Sequence, residues 1–210
     1  MKMGWYPDCV PDWFSNLFPS YHWHGDREHK NVYLTFDDGP TPEATDFVLS
    51  QLAKHQFQAT FFCIGDQVAK NPEIYDRIQE KGHRVGNHTF HHLNAWTARK
   101  DAYLNNVEYC SQLVNSSLFR PPYGRITDKV ATGLKEKGYQ IILWDVLSGD
   151  FDPSRTSDSC LKALKKNTRN GSVIVFHDSE KCLKQLEEIL PTYLEFLKEY
   201  GWTSRVISGS

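Results

Sequence analysis

Two adjacent carboxylates, Asp37 and Asp38, stand where a strongly apolar stretch of the chain meets a Gly-Pro turn. They lie in the segment Thr-Phe-Asp-Asp-Gly-Pro at residues 35–40, directly after Val-Tyr-Leu at 32–34. Neighbouring buried carboxylates repel each other unless a cation or an arginine lies beside them. Because Gly-Pro turns the chain, the pair would end a buried strand, at the edge where parallel α/β folds place their chemistry. An ordinary Asp-Gly turn at the surface explains the same segment.

A second segment carries two histidines four residues apart, His88 and His92, in Gly-Asn-His-Thr-Phe-His-His at residues 86–92. Imidazoles at i and i+4 can face one side of a helical turn and hold one metal ion. A carboxylate would complete a three-ligand site with open positions for water, and Asp38 is the natural third ligand. This donor set suits Zn²⁺, and Co²⁺ or Ni²⁺ could substitute. Because the chain has 9 histidines, a chance spacing is the alternative.

Two further strand ends carry a basic side chain. Residues 119–124 are Phe-Arg-Pro-Pro-Tyr-Gly, and residues 173–178 are Val-Ile-Val-Phe-His-Asp. Arg120 could pair with Asp37 and hold it in place as a base, and the rigid loop after it could point a backbone N–H at an oxyanion. His177, backed by a carboxylate, would have a raised pKa that suits a general acid near neutral pH. A solvated arginine and an ordinary strand-end histidine are the alternatives.

Strands alternate with helices along the chain, and each candidate segment lies at a strand end. Strands are predicted at 32–36, 59–64, 83–87, 118–120, 140–144, 172–177 and 204–207. Helices are predicted from Thr41 onwards and at 71–82, 97–114, 128–137, 158–166 and 180–200, the last with a kink or a new helix at Pro191. About seven β/α units without a linker predict a parallel sheet that is closed, or nearly closed, into a barrel.

One strand end is unusually acidic. The segment at residues 143–152, Leu-Trp-Asp-Val-Leu-Ser-Gly-Asp-Phe-Asp, has three acids in eight positions. Two of these acids could be solvated loop residues.

Composition describes an ordinary globular domain of 210 residues, 40% hydrophobic and 24% charged, with a mean hydropathy of −0.55. A net charge of −2 provides no basic field for nucleic acid or an anionic membrane. No apolar stretch reaches the length of a membrane span. The 5 widely spaced cysteines are expected to be free buried thiols. Residues 1–30 contain no signal-peptide core, so the chain is either cytoplasmic or the mature form of an exported protein.

In combination, the five segments resemble the five motifs of the polysaccharide deacetylases, the NodB-homology domains of carbohydrate esterase family 4. Their order is Thr-Phe-Asp-Asp-Gly-Pro, His-Thr-x-x-His, Arg-Pro-Pro-Tyr-Gly, a Trp/Asp/Phe segment and a strand ending in His, over residues 35–178. The resemblance implies an α/β fold, a distorted (β/α)7 barrel, with residues 31–210 as a single deacetylase-like catalytic domain. Residues 1–30 would be an N-terminal extension packed on the barrel.

The resemblance also implies an activity. Such an enzyme uses one divalent metal ion to hydrolyse acetyl groups from N-acetylated, or O-acetylated, carbohydrate polymers or oligomers, and it releases acetate. Ten positions match residues that have a role in the family: three for the metal, four for acid–base chemistry and three near the acetyl group. They are Asp38, His88 and His92 as metal ligands; Asp37 as base, Arg120 as its brace, His177 as acid and Asp150 as the partner of that acid; and Tyr123, through its backbone N–H, with Phe151 and Val175.

Three positions depart from the family pattern. Leu147 stands where an acid is frequent, Phe151 where tryptophan is usual and Val175 where leucine is usual. These positions bear on substrate specificity more than on chemistry.

Two other functions remain open at this point. A metal-dependent hydrolase of a small non-carbohydrate amide would use the same barrel, and it would be distinguished by a closed pocket instead of an open, aromatic-lined groove. An inactive carbohydrate-binding protein would be expected to lack a metal ligand or the base, and none of these residues is missing.

Overall fold

Parallel strands form one curled sheet in the computed structural model, which describes residues 6–209. The strands are β1 Asn31–Asp37, β2 Ala59–Cys63, β3 Arg84–Asn87, β4 Leu118–Phe119, β5 Gln140–Ile141, β6 Val146–Leu147, β7 Val173–His177 and β8 Thr203–Ser204. Their order is β5-β4-β3-β2-β1-β7-β6, and β8 pairs with the first two residues of β1. The predicted (β/α)7 barrel is confirmed, in an incompletely closed form.

Helices alternate with these strands. Their bounds are α1 Asp12–Ser15, α2 Pro42–His55, α3 Gly65–Lys70, α4 Pro72–Glu80, α5 Lys100–Ser111, α6 Asp128–Glu136, α7 Ser157–Asn167 and α8 Leu183–Glu199. Pro42 and Pro72 occupy the first helical position of α2 and α4, where the missing N–H costs nothing. Of the two predicted alternatives at Pro191, a new helix is wrong, because α8 runs through this residue, and a kink stays a prediction. The neighbouring Leu190 and Tyr193 are fully buried, and their packing supports the continuous helix.

Alternation along β1 separates the core from the site. Leu34 and Phe36 point outwards into an apolar layer shared with α2 and α8. Thr35 and Asp37 therefore point into the barrel, because successive strand side chains face opposite sides. Asp37 is also the last residue of its strand. The sequence thus places one carboxylate inside the barrel, at the C-terminal end of the sheet.

The two edges of the sheet, β5 and β6, are bordered by the N-terminal segment. Cys9 forms a bridge with Val146, and His22 forms one with Ile142. Residues before 31 thus contact both edges. The division of the chain at residue 30 stays a prediction, and its first five residues lie outside the described ones.

A cluster of charged groups also ties this segment to the barrel. Arg27 donates to Asp145 at 2.8 Å and to Asp12 at 3.0 Å. Arg169 donates to both oxygens of Asp12, at 2.7 and 2.8 Å. Asp145 is fully buried and also accepts the backbone N–H of Val173 at 2.8 Å. Asp145 is therefore a structural acid.

The proposal that two acids of residues 143–152 are solvated is wrong. Asp145, Asp150 and Asp152 are all buried. The reason is tertiary, because Arg27 covers the first, and the hydroxyl of Tyr6 donates to the third at 2.6 Å. Neither contact is visible in the local sequence.

All five cysteines are free, as predicted. Four of them are buried, whereas Cys9 is only partly buried. Within residues 6–209, no helix is both long and apolar enough to cross a bilayer.

Candidate active site

A possible metal site lies at the C-terminal end of the sheet. Asp38 follows β1 with a positive φ of 81°. Its Oδ1 lies 3.2 Å from Nε2 of His92 and 3.7 Å from Nε2 of His88. The ligand atoms of these three residues lie within 4.8 Å of one another. Among residues 6–209, no other group of three His, Cys, Asp or Glu side chains is arranged to hold an ion.

The protonation of His88 suits a ligand. Its Nδ1 lies 2.7 Å from the carbonyl oxygen of Arg120, so Nδ1 carries the proton and Nε2 keeps its lone pair. Burial lowers the pKa of His88 to about 4, against the opposing effect of nearby carboxylates. The ring is therefore neutral at physiological pH, as a metal ligand must be.

The loop that carries the two histidines is not the helical turn that the spacing predicts. Thr89 and His92 both have positive φ, 63° and 53°. The side chain of Asn87 accepts the N–H of Thr89 at 2.9 Å and donates to the carbonyl of Val107, on α5, at 3.0 Å. These contacts hold a tight loop in which the two imidazole centroids lie 5.1 Å apart. The prediction identified the pair but not the local structure.

Asp38 supplies an independent indication that a cation belongs here. Its Oδ1 is buried and, within residues 6–209, has no hydrogen-bond partner of good geometry, although Nε2 of His92 lies 3.2 Å away. A buried carboxylate oxygen without a donor is costly. Two imidazoles and one carboxylate, with that oxygen facing both rings, form a donor set that fits Zn²⁺ and its first-row neighbours.

Arg120 is the deepest charged group of the site, with no exposed surface. Its Nη1 donates to Oδ1 of Asp37 and to the hydroxyl of Thr35, both at 2.7 Å. Its Nη2 donates to the carbonyl of Leu143 at 3.1 Å, and its guanidinium carbon lies 4.1 Å from the centre of the Phe62 ring. The guanidinium is therefore fixed from several sides, and it holds Asp37 through a charge-assisted hydrogen bond.

His177 faces Asp37 from the adjacent strand, since the two residues are register partners on β7 and β1. Its Nδ1 lies 2.8 Å from Oδ1 of Asp150, whose Oδ2 accepts the backbone N–H of His177 at 2.8 Å. Burial by itself lowers the pKa of His177, but Asp150, followed by Asp38 and Asp37, raises it to about 9. His177 is therefore protonated at neutral pH, with Nε2–H available to the site.

The three positions predicted near the acetyl group lie next to the two site histidines, His177 and His92, in sequence or in space. Val175 is buried and precedes His177 by two residues on β7, so both face the barrel interior. Phe151 packs against His177 with ring centroids 5.0 Å apart. Tyr123 lies in a 3₁₀ turn at Pro122–Gly124, with a positive φ of 63°, and its ring is 4.6 Å from that of His92.

Two contacts of the site were not predicted from the sequence. The Tyr6 ring packs on Phe151 at 5.0 Å, on a segment without a matching motif. Lys181 donates to Oδ2 of Asp38 at 3.3 Å from a short 3₁₀ turn at Glu180–Cys182. A single lysine or tyrosine outside a motif carries no signal that distinguishes it from a surface residue.

The sequence is similar to those of known polysaccharide deacetylases. The family model of polysaccharide deacetylases matches residues 24–142. A peptidoglycan-N-acetylglucosamine deacetylase of Bacillus cereus is 33% identical over 192 residues, which cover 89% of this chain and 90% of that protein. The peptidoglycan-N-acetylmuramic acid deacetylase PdaA of Bacillus subtilis is 28% identical, over 87% of this chain and 72% of that protein.

A solved structure is similar over nearly the whole chain. The crystal structure of a peptidoglycan N-acetylglucosamine deacetylase superposes with a TM-score of 0.85 at 30% identity, and the match covers 97% of this chain and 95% of that one. The similarity therefore includes the N-terminal segment as well as the barrel.

Proposed function

This chain belongs to the polysaccharide deacetylase family, and from that premise we propose that it removes N-acetyl groups from the amino sugars of peptidoglycan. It is a carbohydrate deacetylase of a metal-dependent family. The choice of polymer is supported by relatives that act on N-acetylglucosamine and on N-acetylmuramic acid of peptidoglycan. One observation supports the chemistry above all. A braced carboxylate, Asp37, and a protonated imidazole, His177, are register partners beside the Asp-His-His cluster.

We assign the metal to Asp38, His88 and His92, and we propose Zn²⁺. When bound, such an ion supplies Lewis-acid polarisation of the acetyl carbonyl and a water of lowered pKa. The chain's own residues then divide the proton transfers. Asp37, held at Oδ1 by Arg120, would accept the proton of the attacking water molecule as the water oxygen bonds to the carbonyl carbon.

The remaining residues act on the tetrahedral intermediate. The backbone N–H of Tyr123 donates to the oxyanion. His177 gives the proton on Nε2 to the leaving nitrogen as the carbon–nitrogen bond breaks, and Asp150 keeps the ring in the required tautomer. The products are acetate and a free amino sugar.

The two alternative functions are less well supported. Tyr123, beside the Asp-His-His cluster, is 59% exposed, and the indole of Trp96 nearby is 63% exposed. An open aromatic border suits a polymer more than a small molecule enclosed in a pocket. An inactive binding protein is disfavoured because none of the residues that we assign as ligands, base and acid is missing from the sequence.

Acetate release tests the proposed function directly. We expect the purified, metal-loaded protein to release acetate from peptidoglycan faster than from chitin oligomers or acetylxylan, and we expect no release from small acetanilide-type amides. The Asp37→Asn variant is the control for contaminating activity. Release from acetylxylan or small amides alone would refute the proposed substrate.

Metal content tests the ligand set. We expect about one divalent ion per chain in the wild type, and its loss in the His88→Ala/His92→Ala double variant, because two of three donors are removed. His91→Ala is the matched control. His91 lies between the two ligands in sequence, but its Nδ1 lies 2.8 Å from Nδ2 of Asn106 and it is outside the cluster. Elemental analysis that finds full occupancy in the double variant would refute the assignment.

A further inference from the structure

An exposed aromatic surface adjoins the candidate metal site. We call it the shelf, and it consists of Trp96, Tyr123 and the guanidinium of Arg125. The two rings are more than half exposed, although burying such rings would stabilise the fold. The shelf begins at the site itself, since the rings of Tyr123 and His92 are 4.6 Å apart.

The shelf is fixed in place even though it is exposed. The indole N–H of Trp96 donates to the carbonyl of Ile126 at 3.3 Å, and its backbone N–H donates to the side chain of Asn94 at 2.9 Å. The guanidinium carbon of Arg125 lies 4.7 Å from the centre of the Trp96 ring and 5.9 Å from that of Tyr123. Two aromatic faces and one cation therefore form a preorganised surface, which lowers the entropic cost of binding a ligand.

The charge of Arg125 is not neutralised within the described structure. Five other arginines, at positions 27, 77, 120, 155 and 169, make ion pairs with aspartates. No carboxylate among residues 6–209 lies within ion-pair distance of Arg125. A guanidinium presents paired N–H donors that match a carboxylate. An exposed arginine held between aromatic rings is thus ready to bind an anionic group.

We propose that the shelf binds the sugar next to the one that is deacetylated, and that Arg125 favours glycans carrying a carboxylate near that sugar. The aromatic rings would pack on the apolar face of the sugar ring, and Arg125 would donate to the carboxylate. In peptidoglycan the carboxylate belongs either to the sugar's own acidic substituent or to its attached peptide. The inference rests on the proposed function and deepens it, because it names the feature of the polymer that the site selects.

The role is one of selection and leaves the chemistry unchanged. In the described part of the chain, Arg125 contacts Trp96, Tyr123 and Pro122 and none of Asp37, His177 or the metal-site residues, so its charge should act on binding and leave the chemical step alone. Removing a charged hydrogen bond typically weakens binding about tenfold or more. The effect should therefore fall on KM for acidic glycans, with kcat nearly unchanged.

The test compares Arg125→Gln with Trp96→Ala on three substrates. These are neutral chitin oligomers, peptidoglycan strands with intact peptides, and the same strands after an amidase has exposed the sugar's own carboxylate. We expect Arg125→Gln to raise KM about tenfold on acidic strands and less than about twofold on chitin oligomers. Trp96→Ala should raise KM on all three, and Arg125→Lys should restore part of the lost affinity.

The two acidic substrates, the intact strands and the amidase-treated strands, identify the source of the carboxylate. An effect confined to intact strands assigns it to the peptide, and an effect confined to amidase-treated strands assigns it to the sugar. Equal effects of Arg125→Gln on neutral and acidic glycans, or no effect on either, would overturn the proposal. Calorimetric titration of the same fragments measures charge selectivity without turnover. If the wild type binds acidic fragments selectively but releases no acetate, the proposed function is refuted. The proposal that the shelf selects acidic glycans is then retained.

Discussion

Asparagine at position 37 is expected to stop turnover and keep the metal, whereas asparagine at position 38 should release the metal. The amide of Asp37→Asn cannot accept the proton of the attacking water, and losing a general base typically lowers the rate by about 10²–10⁴. Asp37 is outside the donor cluster, so metal content should stay at the wild-type level. Asp38→Asn replaces a carboxylate ligand by a neutral amide and weakens metal binding. Acetate release and elemental analysis of both variants give the two results.

The stability of Asp37→Asn must be measured beside its activity. Arg120 is fully buried, and Asp37 is the carboxylate that its Nη1 contacts. Leaving a buried charge without its partner typically costs about 3–5 kcal/mol, although the asparagine oxygen can still accept the hydrogen bond. A folded Asp37→Asn protein with bound metal and no activity would support the role of base. Equal metal loss in the two variants would mean that the roles are assigned wrongly.

Alkaline pH should inactivate the enzyme on an N-acetyl substrate through His177. The imidazolium must donate a proton to the amine, so the rate falls as pH rises through the pKa of this histidine, which its carboxylate neighbours raise to about 9. Asp150 makes the largest contribution that raises this pKa, whereas burial lowers it. Asp150→Asn should therefore move the alkaline limb to lower pH. A bound divalent ion also disfavours the imidazolium, so the direction of this shift is the test.

The leaving group provides a second test of the same residue. An alcohol leaves more readily than an amine, so an O-acetyl ester needs less help from an acid. His177→Ala should lower the rate on the N-acetyl amide by about 10²–10⁴ and lower the rate on the ester much less. Both substrates are measured across pH in wild type, Asp150→Asn and His177→Ala. An alkaline limb that does not move, together with equal losses on amide and ester, would remove His177 from this role.

The barrel was predictable because its signals are local. Apolar runs bounded by Gly, Pro and acidic residues mark β1, β2 and β7 to within about two residues. The stretch predicted as one strand at 140–144 is shorter, and β6 was missed. The reason is long-range, because His22 exchanges backbone hydrogen bonds with Ile141 and Leu143, and this pairing separates β5 from β6. The helix α3 was also missed, because unlike α2 and α4 it has no proline at its first helical position to mark its start.

In the candidate site, too, some features follow from the local sequence and others depend on distant contacts. The side chains of Asp37 and Arg120 contact each other as predicted, because Asp37 ends β1, Arg120 directly follows the parallel β4, and their chemistry is complementary. The loop of His88 and His92 could not be predicted, since it depends on an Asn87 hydrogen bond to the distant Val107. Tyr6, like Trp96 and Arg125 of the shelf, lies outside the spaced motifs, and only the fold reveals its position.

The pairing of the N-terminal segment with β5 and β6 has a consequence for behaviour at high concentration. Edge strands present unpaired N–H and C=O groups on which the strand of another molecule can add. Here Leu147 donates its N–H to the carbonyl of Asp8 at 2.9 Å, and Leu143 donates to that of His22 at 2.7 Å. These groups are occupied within the molecule and are unavailable as a template for intermolecular sheets. We therefore expect a segment outside the catalytic motifs to lower the tendency to aggregate, which would impose on its sequence a constraint separate from catalysis.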